Sequence, residues 1–284
     1  MAFPPHELKA IFKNEDFGPG YSGYSACSHH SLSHQGHETD LWRLRFAVEM
    51  RQLASPLAGA RQLILVIAPD WASTTAQLLR YSRRGPASDW HGVGDHIMVC
   101  LGKSGMAWGL GLHPPMPGLS KQEGDGRAPA GAFTISALFG YAPQGSPLAR
   151  SAGLPYLYAC ADLKAIDDPA SVYYNRIVDQ SAIENRDWHS CEEMRRDDQR
   201  YEIGAVVDHN FAPAMPGAGS CIFLHVWEKE GTPTAGCTAM SLAAMTEIAS
   251  WLDGAASPVL VQLPQIEYER LCADWRLPAF VAHG

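Results

Sequence analysis

Two side chains in this sequence have the types and the spacing for nucleophilic catalysis. One is His225, in Gly219-Ser220-Cys221-Ile222-Phe223-Leu224-His225-Val226-Trp227; the other is Cys237, in Thr234-Ala235-Gly236-Cys237-Thr238. A thiol with an imidazole in reach is the minimum equipment for covalent acyl transfer, sulfur as nucleophile and imidazole as proton carrier. If 221–227 is a strand, its side chains alternate: Ile222, Leu224 and Val226 face one way, and Cys221, Phe223, His225 and Trp227 the other. A histidine in an apolar strand is costly to bury unless it is hydrogen-bonded, so alone His225 reads as a satisfied core residue. Cys237 shifts that balance. It follows a glycine in a turn and precedes a helix expected at 242–252, where free N–H groups and the helix dipole favour a thiolate. The same N–H groups can donate to an oxyanion. The loop Glu228–Pro233 lets residues twelve apart meet in space. Cys221 is the rival nucleophile and shares a face with His225. Four residues of strand put it about 13 Å from that imidazole, so it ranks below Cys237.

The elements that must position this pair are mostly strands. Leu63-Ile64-Leu65-Val66-Ile67 is an aliphatic run of the kind found in buried strands. Asp70 then offers a cap for a helix over Ala72–Tyr81, with Gly85 near its end. Further strands are expected at 96–101, 106–112, 132–138, 203–208, 221–227 and 259–263, the last bracketed by Pro258 and Pro264. The late helix 242–252 carries the apolar stripe Leu242, Met245, Ile248, Ala249 and Leu252, with Ser241 as cap and Gly254 as stop. The sum is a mainly β domain over 61–265 with a few helices and no βαβ alternation.

Composition narrows the function classes. With 22 basic and 30 acidic residues the formal charge is −8, against a broad nucleic-acid-binding surface. No apolar run reaches membrane-helix length. Residues 1–60 hold five of the twelve histidines, including His29, His30, His34 and His37, among Ser and Gly. They read as a disordered extension or a mis-assigned start, with a small metal-binding tract as the alternative; Met50 is an alternative start, and neither start gives a signal peptide. Residues 266–284 read as a C-terminal tail. Seven cysteines show no C-x-x-C pair, which argues against a paired-cysteine zinc site. A Cys160–Cys221 disulfide is open to the sequence, and Cys100 reads as a buried core thiol. The run Glu192–Asp198 mixes signs and reads as a solvated helical face.

The His225 strand followed by Thr234-Ala235-Gly236-Cys237 resembles the signature of the L,D-transpeptidase catalytic-domain family, bacterial cell-wall enzymes with a His and then Ser/Thr-His-Gly-Cys. The Gly-rich segment Glu123–Phe133 resembles the same family's lead-in to a strand. Asp167–Arg176, Val207-Asp208-His209-Asn210 and Gly219–His225 look like one divergent branch. The resemblance implies a β-sandwich-like domain with mixed sheets, Cys237 as nucleophile, and His225 as base oriented through the Val226 carbonyl. It also implies that the Gly236–Cys237 backbone helps form the oxyanion hole. The substrate would be a peptidoglycan stem tetrapeptide, cleaved at its L,D bond with release of D-alanine and transfer to an amine. Hydrolysis by an L,D-carboxypeptidase or amidase is the alternative, and a non-catalytic wall-binding module a further one. No cofactor and no metal is called for. The periplasm or cell envelope is the implied location, with the cytoplasm as alternative. Two departures bear on the substrate face: Ala235 stands where many members have a second histidine, and Thr238-Ala239-Met240 replaces polar residues that often include an Arg. Arg176, His209, Asn210 and Thr234 are the substrate-binding candidates, Arg176 as a clamp for a terminal carboxylate. Beside Asp167, Asp168 and Asp179, the other reading of Arg176 is a structural ion pair, and for His209 it is a turn role.

Overall fold

The aliphatic run at 63–67 becomes β1 (Gln62–Ala68), central in its sheet between two strands and buried at every residue, so that both of its faces are covered. The computed structural model describes residues 55–280. In chain order there follow β2 (Thr75–Ser82), β3 (His91–Cys100), β4 (Met106–Trp108), β5 (Ala128–Gly140), α1 (Pro147–Ser151), β6 (Tyr156–Tyr158), β7 (Leu163–Ala165), β8 (Ile177–Asp179) and β9 (Glu192–Glu193). Then come β10 (Ile203–Val207), β11 (Phe223–Val226), β12 (Thr238–Met240), α2 (Leu242–Trp251), β13 (Val259–Pro264) and α3 (Gln265–Trp275).

The large sheet runs β10-β11-β12-β3-β2-β1-β13-β5-β4 and mixes parallel with antiparallel pairs. β5 has 13 residues, enough to serve two partners. Its first half pairs with β13, Gly131 opposite Gln262, and its second half with β10, Gly140 opposite Ile203. A register shift at Val206/Val207 marks the bend, and through β5 the path closes on itself. A second sheet, β8-β7-β9, is separate. The fold is therefore mainly β with mixed sheets, as expected.

The core is in two parts. The larger holds β1, β13, the inner faces of β5 and β10, and α2 and α3. The smaller consists of Phe139, Ala159, Ala165, Met194, Tyr201, Cys221, Phe223 and Cys237. The alternation expected for 221–227 divides the two: Ile222, Leu224 and Val226 enter the first, Cys221 and Phe223 the second.

Several expectations change. Residues 72–81 are not a helix. Asp70 caps a turn, accepting from the Ala72 N–H at 2.8 Å, and Thr75–Ser82 is then a strand between β1 and β3. Gln77, Leu78, Leu79 and Arg80 are good helix formers, but a place between two strands, with Leu79 opposite Leu65, overrides propensity. The expected 106–112 strand ends at Trp108. Residues 265–275 are helix rather than tail, with Tyr268, Leu271 and Trp275 buried. Leu57 and Ala60, at the end of the presumed extension, are core residues. Residues 1–54 of that extension, including His29, His30, His34, His37 and Met50, lie outside the described residues. Glu192–Asp198 is not a helical face: it begins as β9, and Met194 is wholly buried. The late helix forms as expected, with the Ser241 hydroxyl accepting from the Ala244 N–H, although its last turn ends at Leu252, before Gly254. Cys100 is buried, and Cys160 and Cys221 are free thiols. Among the described residues no helix is long and apolar enough to cross a membrane.

Candidate functional site

β11 and β12 run parallel, with Leu224 opposite Thr238 and His225 opposite Ala239. One residue back, that register sets Cys237 beside Phe223, and the Phe223 N–H does meet the Cys237 Sγ at 3.3 Å. Residues opposite one another share a sheet face, so Cys237, Phe223 and His225 point the same way. The structure thus sets the two residues the sequence singled out on one face of neighbouring strands.

His225 is 6% exposed. Its Nδ1 lies 2.8 Å from the Val226 carbonyl. A carbonyl can only accept, so the proton sits on Nδ1 and Nε2 keeps its lone pair. That Nε2 has no hydrogen-bond partner among the described residues. Burial lowers the imidazole pKa to about 4, with Arg200 and Arg196 acting in the same direction and the Val226 bond opposing. The ring is neutral at neutral pH, as a proton acceptor must be.

Cys237 departs from expectation. It is 8% exposed, and burial, then the Glu192 carboxylate, push its thiol well above the usual range. The Phe223 N–H and the Lys121 charge oppose that shift without reversing it. The helix invoked to favour a thiolate begins only at Leu242, and the three residues of β12 intervene. At about 3.3 Å per residue, strand and cap carry the helix end beyond the last-turn range of its dipole. The resting group is a neutral thiol, whose S–H points to the Cys221 carbonyl at 3.5 Å.

The turn carrying Cys237 is fastened by Thr234. Its hydroxyl donates to the Cys237 carbonyl at 2.7 Å and accepts from the Gly236 N–H at 3.1 Å; its backbone joins Leu101 and Lys103. Thr234 is thus the staple of this turn. The Gly236 N–H is committed to it, which leaves for an oxyanion the Cys237 N–H, a group with no turn, loop or side-chain acceptor among the described residues. Gly236 has φ +155°, and a Cβ there would sit 3.0 Å from the Arg127 carbonyl, so glycine is required.

Opposite the turn, residues 208–222 are held by a network the sequence did not reveal. Cys221 adopts a left-handed conformation, φ 54°, unusual for a residue with a Cβ. The Asn175 Oδ1 accepts its N–H at 2.9 Å, while the Asn175 amide donates to the His209 and Asn210 carbonyls at 2.9 and 2.7 Å. Glu123, in the Gly-rich segment, accepts from the Tyr174 and Ser220 hydroxyls at 2.6 and 2.7 Å. Asn175 and Glu123 stood within quoted motifs, but their partners lie 46 and 97 residues away. Only the left-handed Cys221 makes the first contact useful.

The remaining candidates do not join Cys237 and His225 on that face. His209 is 1% exposed; its Nδ1 accepts from the Leu110 N–H and its Nε2 donates to the Ala218 carbonyl. The Asn210 side chain bonds Met215 and Gly219. Both brace the loop, and their polar atoms are spent on backbone groups. Arg176 is exposed, and no acidic side chain pairs with it among the described residues. Its structural ion pair does not form there. Among the described residues no three His, Cys, Asp or Glu side chains are grouped to hold a metal.

No curated protein and no solved structure matches the chain. The model of the YkuD L,D-transpeptidase catalytic domain matches residues 71–261. That stretch is 191 of the 284 residues and contains the β11–β12 pair, the Thr234–Cys237 turn and the Asn175 and Glu123 braces. The chain therefore belongs to the L,D-transpeptidase catalytic-domain family, whose enzymes act on peptidoglycan.

Proposed function

We propose that the chain performs cysteine-dependent acyl transfer on peptidoglycan stem peptides, with Cys237 as nucleophile and His225 as base. The observation that carries this reading is the shared face of β11 and β12, which presents both a buried thiol, met by the Phe223 N–H, and an imidazole whose Nδ1 is tied to the Val226 carbonyl. In the first half-reaction the Cys237 Sγ attacks the carbonyl of the L,D bond as its proton passes to His225 Nε2. The Cys237 N–H donates to the oxyanion, and the Phe223 N–H steadies charge on sulfur. Collapse of the tetrahedral intermediate breaks the C–N bond, and the imidazolium returns its proton to the departing D-alanine. The acyl-enzyme then passes its acyl group to an amine. Arg176, exposed and following Asn175 in the chain, would take the terminal carboxylate of the donor stem.

The test is mass spectrometry of a disaccharide-tetrapeptide incubated with the protein, with and without an added D-amino acid. Loss of D-alanine, or its exchange for the added residue, with the unsubstituted protein and not with Cys237→Ala or His225→Ala is the expected result. Unchanged turnover by a folded Cys237→Ala protein would overturn the assignment. The product mass separates transfer from hydrolysis.

A further inference from the structure

One carboxylate beside the dyad has no part in the mechanism above. Glu192 stands on β9 opposite Ala165 of β7, and its Oε2 accepts a hydrogen bond from the Tyr201 hydroxyl. The Tyr201 ring, 5% exposed, meets the His225 imidazole edge-on at 5.4 Å and Phe223 at 5.7 Å, and the Phe223 N–H is the group on the Cys237 sulfur. Glu192 is thus tied through Tyr201 to His225, and through Tyr201 and then Phe223 to Cys237, and its charge raises the thiols of Cys237 and Cys221 alike. Its second oxygen, Oε1, has no hydrogen-bond partner among the described residues.

Its surroundings leave negative charge unanswered. Asp167 Oδ1 is sealed from solvent without a partner, and Asp167 and Glu123 both act on Glu192. Arg196, over the Tyr201 ring, answers part of that charge, but the nearby cations are already engaged: Lys164 with Glu193, Lys121 with Asp125, and Arg196 with Asp198. A nucleophile needs no such field, since negative charge opposes the thiolate. A half-buried carboxylate with one oxygen fixed and the other unused suits an incoming cation instead.

Resting on the acyl-transfer reading, we propose that Glu192, oriented by Tyr201, receives the ammonium of the acyl acceptor and takes one of its protons before attack. The neutral amine then adds to the thioester carbonyl, forming the C–N bond. Collapse breaks the C–S bond, and the second proton passes from nitrogen through His225 Nε2 to the departing sulfur. The products are the amide, the free Cys237 thiol, and one proton on Glu192 that returns to solvent. Burial, which holds the Glu192 carboxyl above its ordinary range, suits it to accept that proton.

The test compares two acceptors in the unsubstituted protein and in Glu192→Gln and Tyr201→Phe. Glycinamide is an ammonium at neutral pH, whereas hydroxylamine is uncharged. The reading is the ratio of transfer to the two from a preformed acyl-enzyme, in which any loss common to both cancels. A fall of tenfold or more in the glycinamide-to-hydroxylamine ratio for Glu192→Gln, and a smaller fall for Tyr201→Phe, is the expected result. An unchanged ratio would overturn this assignment alone. Failure of the unsubstituted protein to form any acyl-enzyme would overturn the underlying reading and this one with it.

Discussion

Replacing Asn175 with alanine should show how much the left-handed Cys221 depends on one side chain. Asn175 makes three hydrogen bonds that join distant backbone: to the Cys221 N–H and to the His209 and Asn210 carbonyls. At about 1 kcal/mol net for each bond lost, their removal costs about 3 kcal/mol. Asn175 itself has φ 60°, where alanine is worse than asparagine or glycine by about 1 kcal/mol. Asn175→Ala should therefore lose about 4 kcal/mol and Asn175→Gly about 3 kcal/mol. In a domain of this size that corresponds to a Tm about 8–16 °C lower for alanine, with glycine melting a few degrees above it. Thermal unfolding followed by circular dichroism measures both. The turnover of folded Asn175→Gly should also fall, because the Cys221 carbonyl that receives the Cys237 S–H loses its brace. An alanine variant melting within about 2 °C of the parent would refute the reasoning, as would a glycine variant less stable than the alanine one.

Three other outcomes are expected. His209 and His225 are both held at about 4, from an ordinary 6.5. The unfolded chain therefore takes up protons first, and stability falls from about pH 6.5 toward 4 by about 3 kcal/mol per histidine. Asp208, raised to about 6, works the other way and returns about 3 kcal/mol over the lower part of that window; urea unfolding at stepped pH should find Asp208→Asn more acid-sensitive than the parent, and equal or lesser sensitivity would contradict the assignment. Gly236→Ala meets the Arg127 carbonyl and an unfavourable φ; it should cost about 1–3 kcal/mol and lower turnover at least tenfold, and parental kinetics in that variant would count against the turn's role. Because the resting Cys237 is a neutral thiol, its iodoacetamide labelling, followed by peptide mass mapping, should climb about tenfold per pH unit through the alkaline range. A rate already level at neutral pH would mean a preformed thiolate.

What could be read from the sequence depended on how local each cause was. β1 and β13 showed themselves because a strand buried on both faces is apolar throughout, and the alternation in Ile222–Val226 correctly separated two cores. β2 reads as helix from its own residues because Gln77, Leu78, Leu79 and Arg80 carry a helical preference that only their neighbours, β1 and β3, overrule. The tail at 265–275 carried its own signal: Tyr268, Leu271 and Trp275 recur at helical spacing and bury together. Glu192 was lost in a charged run, since composition cannot tell which one of several charges turns inward. Cys237 and His225 were found by type and spacing, but the state of the thiol was not. The nearness of the helix in sequence suggested a thiolate, whereas the intervening strand and the burial give the opposite.

That reversal bears on how such a site can work. A preformed ion pair would place a thiolate within the field of Glu192 at a poorly solvated position, where charge repulsion and desolvation both oppose it. A neutral thiol beside a neutral imidazole avoids both costs until a carbonyl arrives. On the proposed mechanism, sulfur becomes nucleophilic only as its proton moves to His225, and the charge so formed passes at once to the oxyanion facing the Cys237 N–H. The acidic surroundings that oppose a resting thiolate then favour the next arrival, a cationic amine, so the same carboxylate field that restrains the first half-reaction recruits the reactant for the second.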